Sequence, residues 1–446
     1  MRIFSIAVIL ALSLWFPAGQ AADSPNLVVI MMDDLADSTY DAAAALDYVP
    51  NIEALRARAH EFSSHISPTP LCCPARVNFF TGQFAQTNGV WNNDRGHLMD
   101  TSETIAAVLQ GAGYETAIVG KYLNRLGNSS SPDPFHQPTY IAPGWDHWQV
   151  LLRNVVQMYN FTLSEDGVAT LYSEEYQTDL LSSRAVTLLA QLSEPFFLYV
   201  APTAVHGESG VGALECHTGL QPDWEIRPAL RHETTTFVAA PRPPSYNESS
   251  LSDKPWEDLM PRLERSGREC IDRLFSSRVA ALRALDDLVG DVVAASPTDT
   301  VVLLMSDQGY LFGEHRLIKK GLPYEESIRT RAYLALPFET ENTTHDALVA
   351  MIDWAPTLLE LAGQTVPTGM EGLSLACILD GTCQHVRTRL NLYQDDTETG
   401  IISFDGWRTG PNDPSNPDSV WWTWLPSGAR EGYDLDDDPY QLDNLR

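Results

Sequence analysis

Basic side chains are scarce in this sequence. It carries 29 Lys and Arg against 59 Asp and Glu, a formal charge of −30. That excludes the cationic footprint of a nucleic-acid binder and argues against broad docking onto an anionic membrane. Cysteine is scarce too. Six in 446 residues are too few for a scaffold built on disulfides, and none falls in the C-x-x-C pair of a zinc or thioredoxin-like site. Beyond Phe16 no apolar run approaches the roughly 20 residues that cross a bilayer. What is present is 44% apolar and 20% charged, the make-up of a globular chain and not of a disordered or collagen-like one. The length allows one large α/β domain or two to three ordinary ones, with ample material for a core.

The amino terminus adds a compartment. Arg2 precedes the apolar run Ile3–Phe16, then Pro17 and the small residues Ala18, Gly19, Ala21 and Ala22. This is the pattern of a secretory signal peptide, expected over residues 1–22. The mature protein is then exported without a membrane anchor, to an extracellular, lysosomal or periplasmic space. Six cysteines suit such an oxidising compartment. Cys377 and Cys383 are near enough to close a small loop, and Cys216 can pair with Cys270. Cys72 and Cys73 are adjacent, and vicinal pairs rarely bridge each other because the geometry is strained.

Short apolar runs that stop at polar residues predict buried strands over Asn26–Met32, Thr116–Val119, Phe196–Ala201 and Val301–Met305. Helical patterns lie between them. One runs over Thr104–Gln110, with Ser102 as its expected N-cap and Gly111 ending it. Another, Phe275–Val293, places Val279, Leu282, Leu285, Val289 and Val292 on one face. Alternating strands and helices imply a mostly parallel sheet covered on both sides. After about residue 375 the texture changes: 401–409 and Val420–Leu425 predict two strands joined by a turn-rich stretch, in a small antiparallel subdomain. The expected organisation is a signal peptide over 1–22, a catalytic domain over 23–375 and the C-terminal subdomain over 376–446. The Pro-rich stretch of about 208–263 reads as a long surface excursion.

Residues able to do chemistry gather just past the ends of the predicted strands. Asp33 and Asp34 come after the first, Lys121 after the second, His206 shortly after the third, and Asp307 and Gln308 after the last. In open α/β sheets ligands bind outside the carboxyl ends of the strands, so these residues converge. Asp33, Asp34, Asp307 and Gln308 offer hard oxygen donors suited to Ca²⁺ or Mg²⁺, although any one Asp there also serves as a turn or helix cap. Pro74 is expected at the first position of a helix that Gly82 ends. Cys72 then sits beside a helix N-terminus, where anions are favoured, and Arg76 one turn in can grip an oxyanion. The segment reads as an activated cysteine, an anion pocket or a buried structural cysteine.

Cys72-x-Pro74-x-Arg76 followed by Thr81-Gly82 resembles the signature of type I sulfatases, in which the first Cys becomes formylglycine. Asn26–Asp34, Gly113–Ala117 with Gly120-Lys121, Ser306–Gly309 with Gly313–His315, and Lys320 before Tyr324-Glu325 resemble further motifs of the family. Gly120–Asn124 and Ala142–Trp145 look like the N-acetylglucosamine-6-sulfatase branch. The chain departs from common family patterns at Ala75, Leu123 and Gln308. The resemblance implies an alkaline-phosphatase-like α/β fold with a large, mostly parallel or mixed sheet. It implies a Ca²⁺ site (Mg²⁺ being the alternative) at Asp33, Asp34, Asp307 and Gln308, and a maturation enzyme that converts Cys72 to formylglycine. Cys72, Arg76, Lys121, His206 and Lys320 are then the expected catalytic residues, and the substrate a sulfated saccharide or other organic sulfate ester. Asn93, Asn124 and His315 are candidates for contacting it, with turn or structural hydrogen-bonding roles as the plainer readings. Trp421, Trp422 and Trp424 either stack on a sugar or pack within a hairpin. The competing functions are phosphate or phosphonate ester hydrolysis on the same superfold, and glycan binding without catalysis.

Overall fold

Strands whose side chains are apolar on both faces must be buried on both faces, and the four predicted apolar runs lie side by side in the middle of one sheet. A computed structural model describes residues 24–128, 131–153, 155–211, 216, 224–258, 260–395, 403–411, 418–425 and 427–446. The expected signal peptide lies outside them. The main sheet contains β1 (Asn26–Met32), β2 (His60–Ile66), β3 (Glu115–Gly120), β4 (His147–Leu152), β5 (Phe161–Glu165), β6 (Val168–Tyr172), β7 (Phe196–Ala201) and β8 (Thr300–Ser306). A two-stranded ribbon follows, β9 (Leu311–Phe312) and β10 (Ile318–Lys319), before β11 (Arg329–Ala335), β12 (Thr343–His345) and β13 (Val349–Ala350) return to the main sheet. Its order is β12-β2-β11-β8-β1-β7-β3-β4-β5-β6, with β13 on β2.

Neighbours β8, β1, β7, β3 and β4 run parallel. β11 is antiparallel to β8 and β2, and β4, β5 and β6 form an antiparallel meander. The sheet is therefore mixed, with a parallel centre.

Alternation along β1 divides the core in two. Val28, Ile30 and Met32 join the cluster under the helices Gln177–Leu189 and Arg265–Ala295. Leu27, Val29 and Met31 join the cluster under Cys72–Thr81, Ile105–Gly111 and Trp354–Leu361. The long helix extends past the predicted Phe275–Val293 at both ends, because Leu274, Ile271 and Cys270 continue its buried face. The Ile105–Gly111 helix is capped by Thr104, whose side chain accepts from the Ala107 N–H. Ser102, the expected cap, is instead bonded to Asp100.

The C-terminal sheet has four antiparallel strands, β14 (Arg389–Gln394), β15 (Phe404–Thr409), β16 (Ser419–Trp424) and β17 (Arg430–Asp434). Residues 401–402 of the predicted strand and 412–417 of its turn are outside the described residues. The inner face of this sheet packs Leu392, Phe404, Trp422, Trp424 and Tyr433 against Leu311, Tyr324 and Ile328. Arg408 clamps the two parts together through two bonds to Glu325, at 2.9 and 3.1 Å. The stretch read as a surface excursion is only partly that. Leu251 and Trp256 are buried in the same cluster, and a disulfide ties Cys216 to Cys270. Cys377–Cys383 is the second disulfide, and Cys72 and Cys73 are free and buried.

Candidate active site

Because β8, β1, β7 and β3 are parallel neighbours, their carboxyl ends share one edge. Asp307 and Gln308, Asp33 and Asp34, the Thr203–His206 turn and Lys121 all emerge there. The helix Cys72–Thr81, buried at every position, points its first turn at the same edge. Its start is two residues earlier than expected, so Pro74 occupies the third helical position, where a missing N–H is still tolerated. Gly82 ends it at φ +61°, a conformation that costs glycine little. The helix has no cap of its own. Asn93 supplies one, its side-chain oxygen accepting from the Cys73 N–H at 3.0 Å.

The Cys72 thiol is in contact with three segments. Lys320 Nζ lies 2.8 Å from Sγ, the Gln308 amide nitrogen 3.6 Å, and Asp33 Oδ1 3.4 Å. Burial pushes the thiol up to about 11, with Asp33 adding to it. Arg76 donates to Asp307 Oδ2 through Nε and Nη2, at 3.1 and 3.0 Å, and through Nη1 to the Lys121 carbonyl and the Tyr199 hydroxyl. Lys121 Nζ is 2.5 Å from Asp33 Oδ2. Lys320 is paired with Asp34 Oδ1, which also accepts from the Gln308 amide at 2.5 Å.

Electrostatics follow from this crowding. Burial opposes ionisation of Asp33 and Asp34, but the surrounding cations, Lys121 and Lys320 foremost, hold both below the usual carboxylate range. Asp307 is pushed up to about 6 by burial and by Asp33, against Arg76. Three carboxylates thus meet in a space where the third ionises reluctantly, which is what a dication relieves. Gln308 supports the same point: its side-chain oxygen is buried without a hydrogen-bond partner, the state of a ligand oxygen. Asp33, Asp34, Cys72 and His206 bring donor atoms within 4.8 Å of one another. A protonated thiol is a poor ligand, so the oxygen set Asp33, Asp34, Asp307 and Gln308 fits a hard cation better than that mixed set does.

Most of the cluster is sealed. Asp33, Arg76, Asp307 and Gln308 are fully buried. His206, 22% exposed, and Lys320, 12% exposed, mark the open side. The His206 Nδ1 is 2.8 Å from the Gly207 carbonyl, so it carries the proton, and Nε2 faces Asp34 at 3.5 Å. Burial pushes this imidazole down to about 4, against the pull of Asp34.

Two expected contacts lie elsewhere. His315 is buried, bonded to Glu248 at 2.9 Å and stacked on Tyr324 at 4.1 Å, and neither contact is with Cys72. Asn124 lies behind Cys73, which its backbone N–H reaches, and its side-chain oxygen is buried without a partner. Two residues escaped the sequence reading. Tyr199 on β7 braces Arg76, and Arg278 reaches the Asp34 carbonyl at 3.4 Å while stacked 3.8 Å over Tyr310. Arg278 was discoverable, since it interrupts the apolar stripe between Phe275 and Leu282.

The sulfatase family profile matches residues 25–364. The chain belongs to the sulfatase family. It is 30% identical over 381 residues to an N-acetylglucosamine-6-sulfatase of Homo sapiens, covering 80% of this chain and 64% of that one. It is 24% identical over 421 residues to an N-acetylglucosamine-6-O-sulfatase of Bacteroides thetaiotaomicron, covering 82% and 72%. The chain spans 31% to 65% of the length of five curated relatives that it matches. Among solved structures, a complex with the substrate D-glucosamine-2-N,6-O-disulfate superposes with a TM-score of 0.70 at 19% identity, covering 95% and 93%. The phosphonate monoester hydrolase of Agrobacterium radiobacter does so with a TM-score of 0.70 at 16% identity, covering 94% and 91%. The fold is accordingly the alkaline-phosphatase-like one that the motifs implied.

Proposed function

We propose that this sulfatase hydrolyses sulfate esters of sugars, with N-acetylglucosamine 6-sulfate or a close relative as substrate. The observation that carries the reading is the placement of Cys72 Sγ, 2.8 Å from Lys320 Nζ and in contact with Asp33 and Gln308. The human and Bacteroides relatives support the choice of sugar. Converted to formylglycine by a maturation enzyme and hydrated, position 72 supplies a geminal diol as the nucleophile toward sulfur. Asp33, Asp34, Asp307 and Gln308 would hold Ca²⁺ or Mg²⁺, which would supply Lewis-acid charge stabilisation when bound.

The chain's own side chains do the remainder. Arg76 and Lys121 are pinned to Asp307 and Asp33, so their charge is preorganised for an oxyanion and needs no rearrangement during reaction. His206, held neutral with Nδ1–H on Gly207, presents Nε2 to take a proton from the nucleophile. Lys320, whose ammonium the neighbouring carboxylates keep protonated despite burial, stands on the open side and serves the leaving oxygen. Export is part of the proposal: two disulfides suit an oxidising compartment, and no described helix is long and apolar enough to cross a membrane.

Protein made in a maturase-competent host tests this with glucosamine 6-sulfate and an aryl sulfate. Sulfate release that needs Ca²⁺ and vanishes in Cys72→Ala is expected. Turnover of phosphate or phosphonate esters without sulfate release would move the chain to the phosphoryl side of the superfold. No turnover of either, with glycan binding retained, would leave a binding protein.

A further inference from the structure

Strand alternation sends Trp422 and Trp424 into the core and leaves Trp421 on the outer face of the C-terminal sheet. Register places Asn391, Trp407, Trp421 and Gly432 in one row across β14, β15, β16 and β17. A Cβ on Gly432 would meet the Trp421 ring at 1.7 Å, so glycine is what lets that indole lie across β17. The Trp407 and Trp421 rings are 5.9 Å apart at 33°. Arg389 lies over the first at 4.5 Å and Arg446 over the second at 4.4 Å. With Arg430 they border a hollow of about 400 Å³ whose lining also includes Asp405 and Glu431. The Glu431 carboxylate is taken up by Tyr324, Trp424 and Tyr433, so three guanidiniums face one uncommitted carboxylate.

The charges there are unspent. In a chain with twice as many acids as bases, most arginines pair with a carboxylate. Among the described residues, the guanidiniums of Arg389, Arg430 and Arg446 make no hydrogen bond or ion pair. A guanidinium over an indole satisfies its apolar surroundings and keeps its N–H fork for an anion. The hollow is also separate from the Cys72 site. Gln86, which lines it, comes after the far end of the ten-residue helix that Cys72 begins, a helix about 15 Å long.

We propose that this face is a second binding site for a sulfated saccharide, with sulfate groups on the three arginines and sugar on the Trp407–Trp421 platform. The identity of the ligand rests on the sulfatase reading, while the basic, aromatic hollow stands without it. Such a site holds one part of a short sulfated chain at a distance from the place where another sulfate is removed.

The test is calorimetric titration of the full chain carrying Cys72→Ala with a sulfated heparin hexasaccharide and with its desulfated counterpart. In parallel, the same surface substitutions are assayed for aryl sulfate turnover with Cys72 intact. The double variant Arg389→Glu/Arg446→Glu is expected to lose a binding event, or weaken it at least tenfold, with aryl sulfate kcat/KM within twofold. Arg430→Gln provides a single neutral change if the double reversal lowers the melting temperature. Unchanged binding in both variants, no binding by the parent, or equal affinity for the desulfated hexasaccharide overturns the proposal. If the sulfatase reading is wrong, aryl sulfate is not turned over while the arginine-dependent binding persists. If the second site is wrong, turnover persists and the arginines are irrelevant to binding.

Discussion

Arg76 Nε and Nη2 both donate to one oxygen of Asp307, at 3.1 and 3.0 Å, across 231 residues of sequence. The other oxygen of that carboxylate accepts the Asp34 N–H at 3.1 Å. Asp307 therefore locks the helix that carries Cys72 to the ends of both β1 and β8, and Arg76 is a fixed charge and not a mobile one.

Arg76→Lys tests that rigidity. A lysine keeps the charge but not the fork, and cannot bond Asp307, the Lys121 carbonyl and Tyr199 together. Losing one preorganised donor of this kind costs about 10²–10³-fold in kcat. Steady-state kinetics on an aryl sulfate should show that loss mostly in kcat; a change confined to KM would contradict it.

Metal removal is the second expectation. EDTA should abolish sulfate release and Ca²⁺ restore it. Because the folded state alone gathers Asp33, Asp34, Asp307 and Gln308, Ca²⁺ should also raise stability, by about 2.7 kcal/mol at 100 times its Kd. Gln308→Leu, which removes the unpartnered oxygen, should need more Ca²⁺ for half-maximal activity. Identical Ca²⁺ dependence in the variant would remove Gln308 from the ligand set.

The sequence disclosed the centre of this fold better than its flanks. The ends of β1 and β7 match the predicted runs, because strands buried on both faces are apolar almost throughout, Asn26 at the start of β1 being the exception. β2, His-Glu-Phe-Ser-Ser-His-Ile, was illegible for the opposite reason. Its polar side chains find partners far away in sequence, such as Thr330 for His65 Nδ1 and Glu339 for His60, and no local pattern announces them. That Asp33, Asp34, Lys121, His206, Asp307 and Gln308 gather at one edge was readable because each comes after a strand, and Cys72 and Arg76 were readable because they sit in the signature. Tyr199 was not, since its contact with Arg76 depends on which elements stack, and Arg278 showed only as a charge within an apolar stripe, with nothing local to point it at Asp34. His315 and Asn124 lie within motifs, and their hydrogen bonds go to Glu248 and Cys73 and not to Cys72.

His65 gives a pH expectation. Its imidazole is buried with Nε2 unpartnered, and burial pushes it down to about 3. An unfolded chain protonates near 6.5, so between the two values the unfolded state holds the extra proton and stability is lost as pH falls. Above about 6.5 the contribution is constant. Urea titrations of the parent and His65→Gln at about pH 7.5 and about pH 5 should show the larger acid loss in the parent. Equal losses would mean that His65 is not the group responsible.

Gln394 is fully buried at the end of β14, and neither atom of its carboxamide has a hydrogen-bond partner. Its carboxamide lies against Gly321, the neighbour of Lys320. Burying an unsatisfied amide costs about 1–3 kcal/mol. Gln394→Met should therefore leave the denaturant midpoint unchanged or raise it, and a clear drop would show that the amide has a partner in solution.

The most direct test of the central claim is the mass of the Cys72 peptide, from protein made in a maturase-competent host. The expected result is the mass loss of a thiol converted to an aldehyde, at Cys72 and not at Cys73, in the same preparation that releases sulfate from glucosamine 6-sulfate. An unmodified Cys72 in a competent host, in protein that still releases sulfate, would contradict the proposed nucleophile outright.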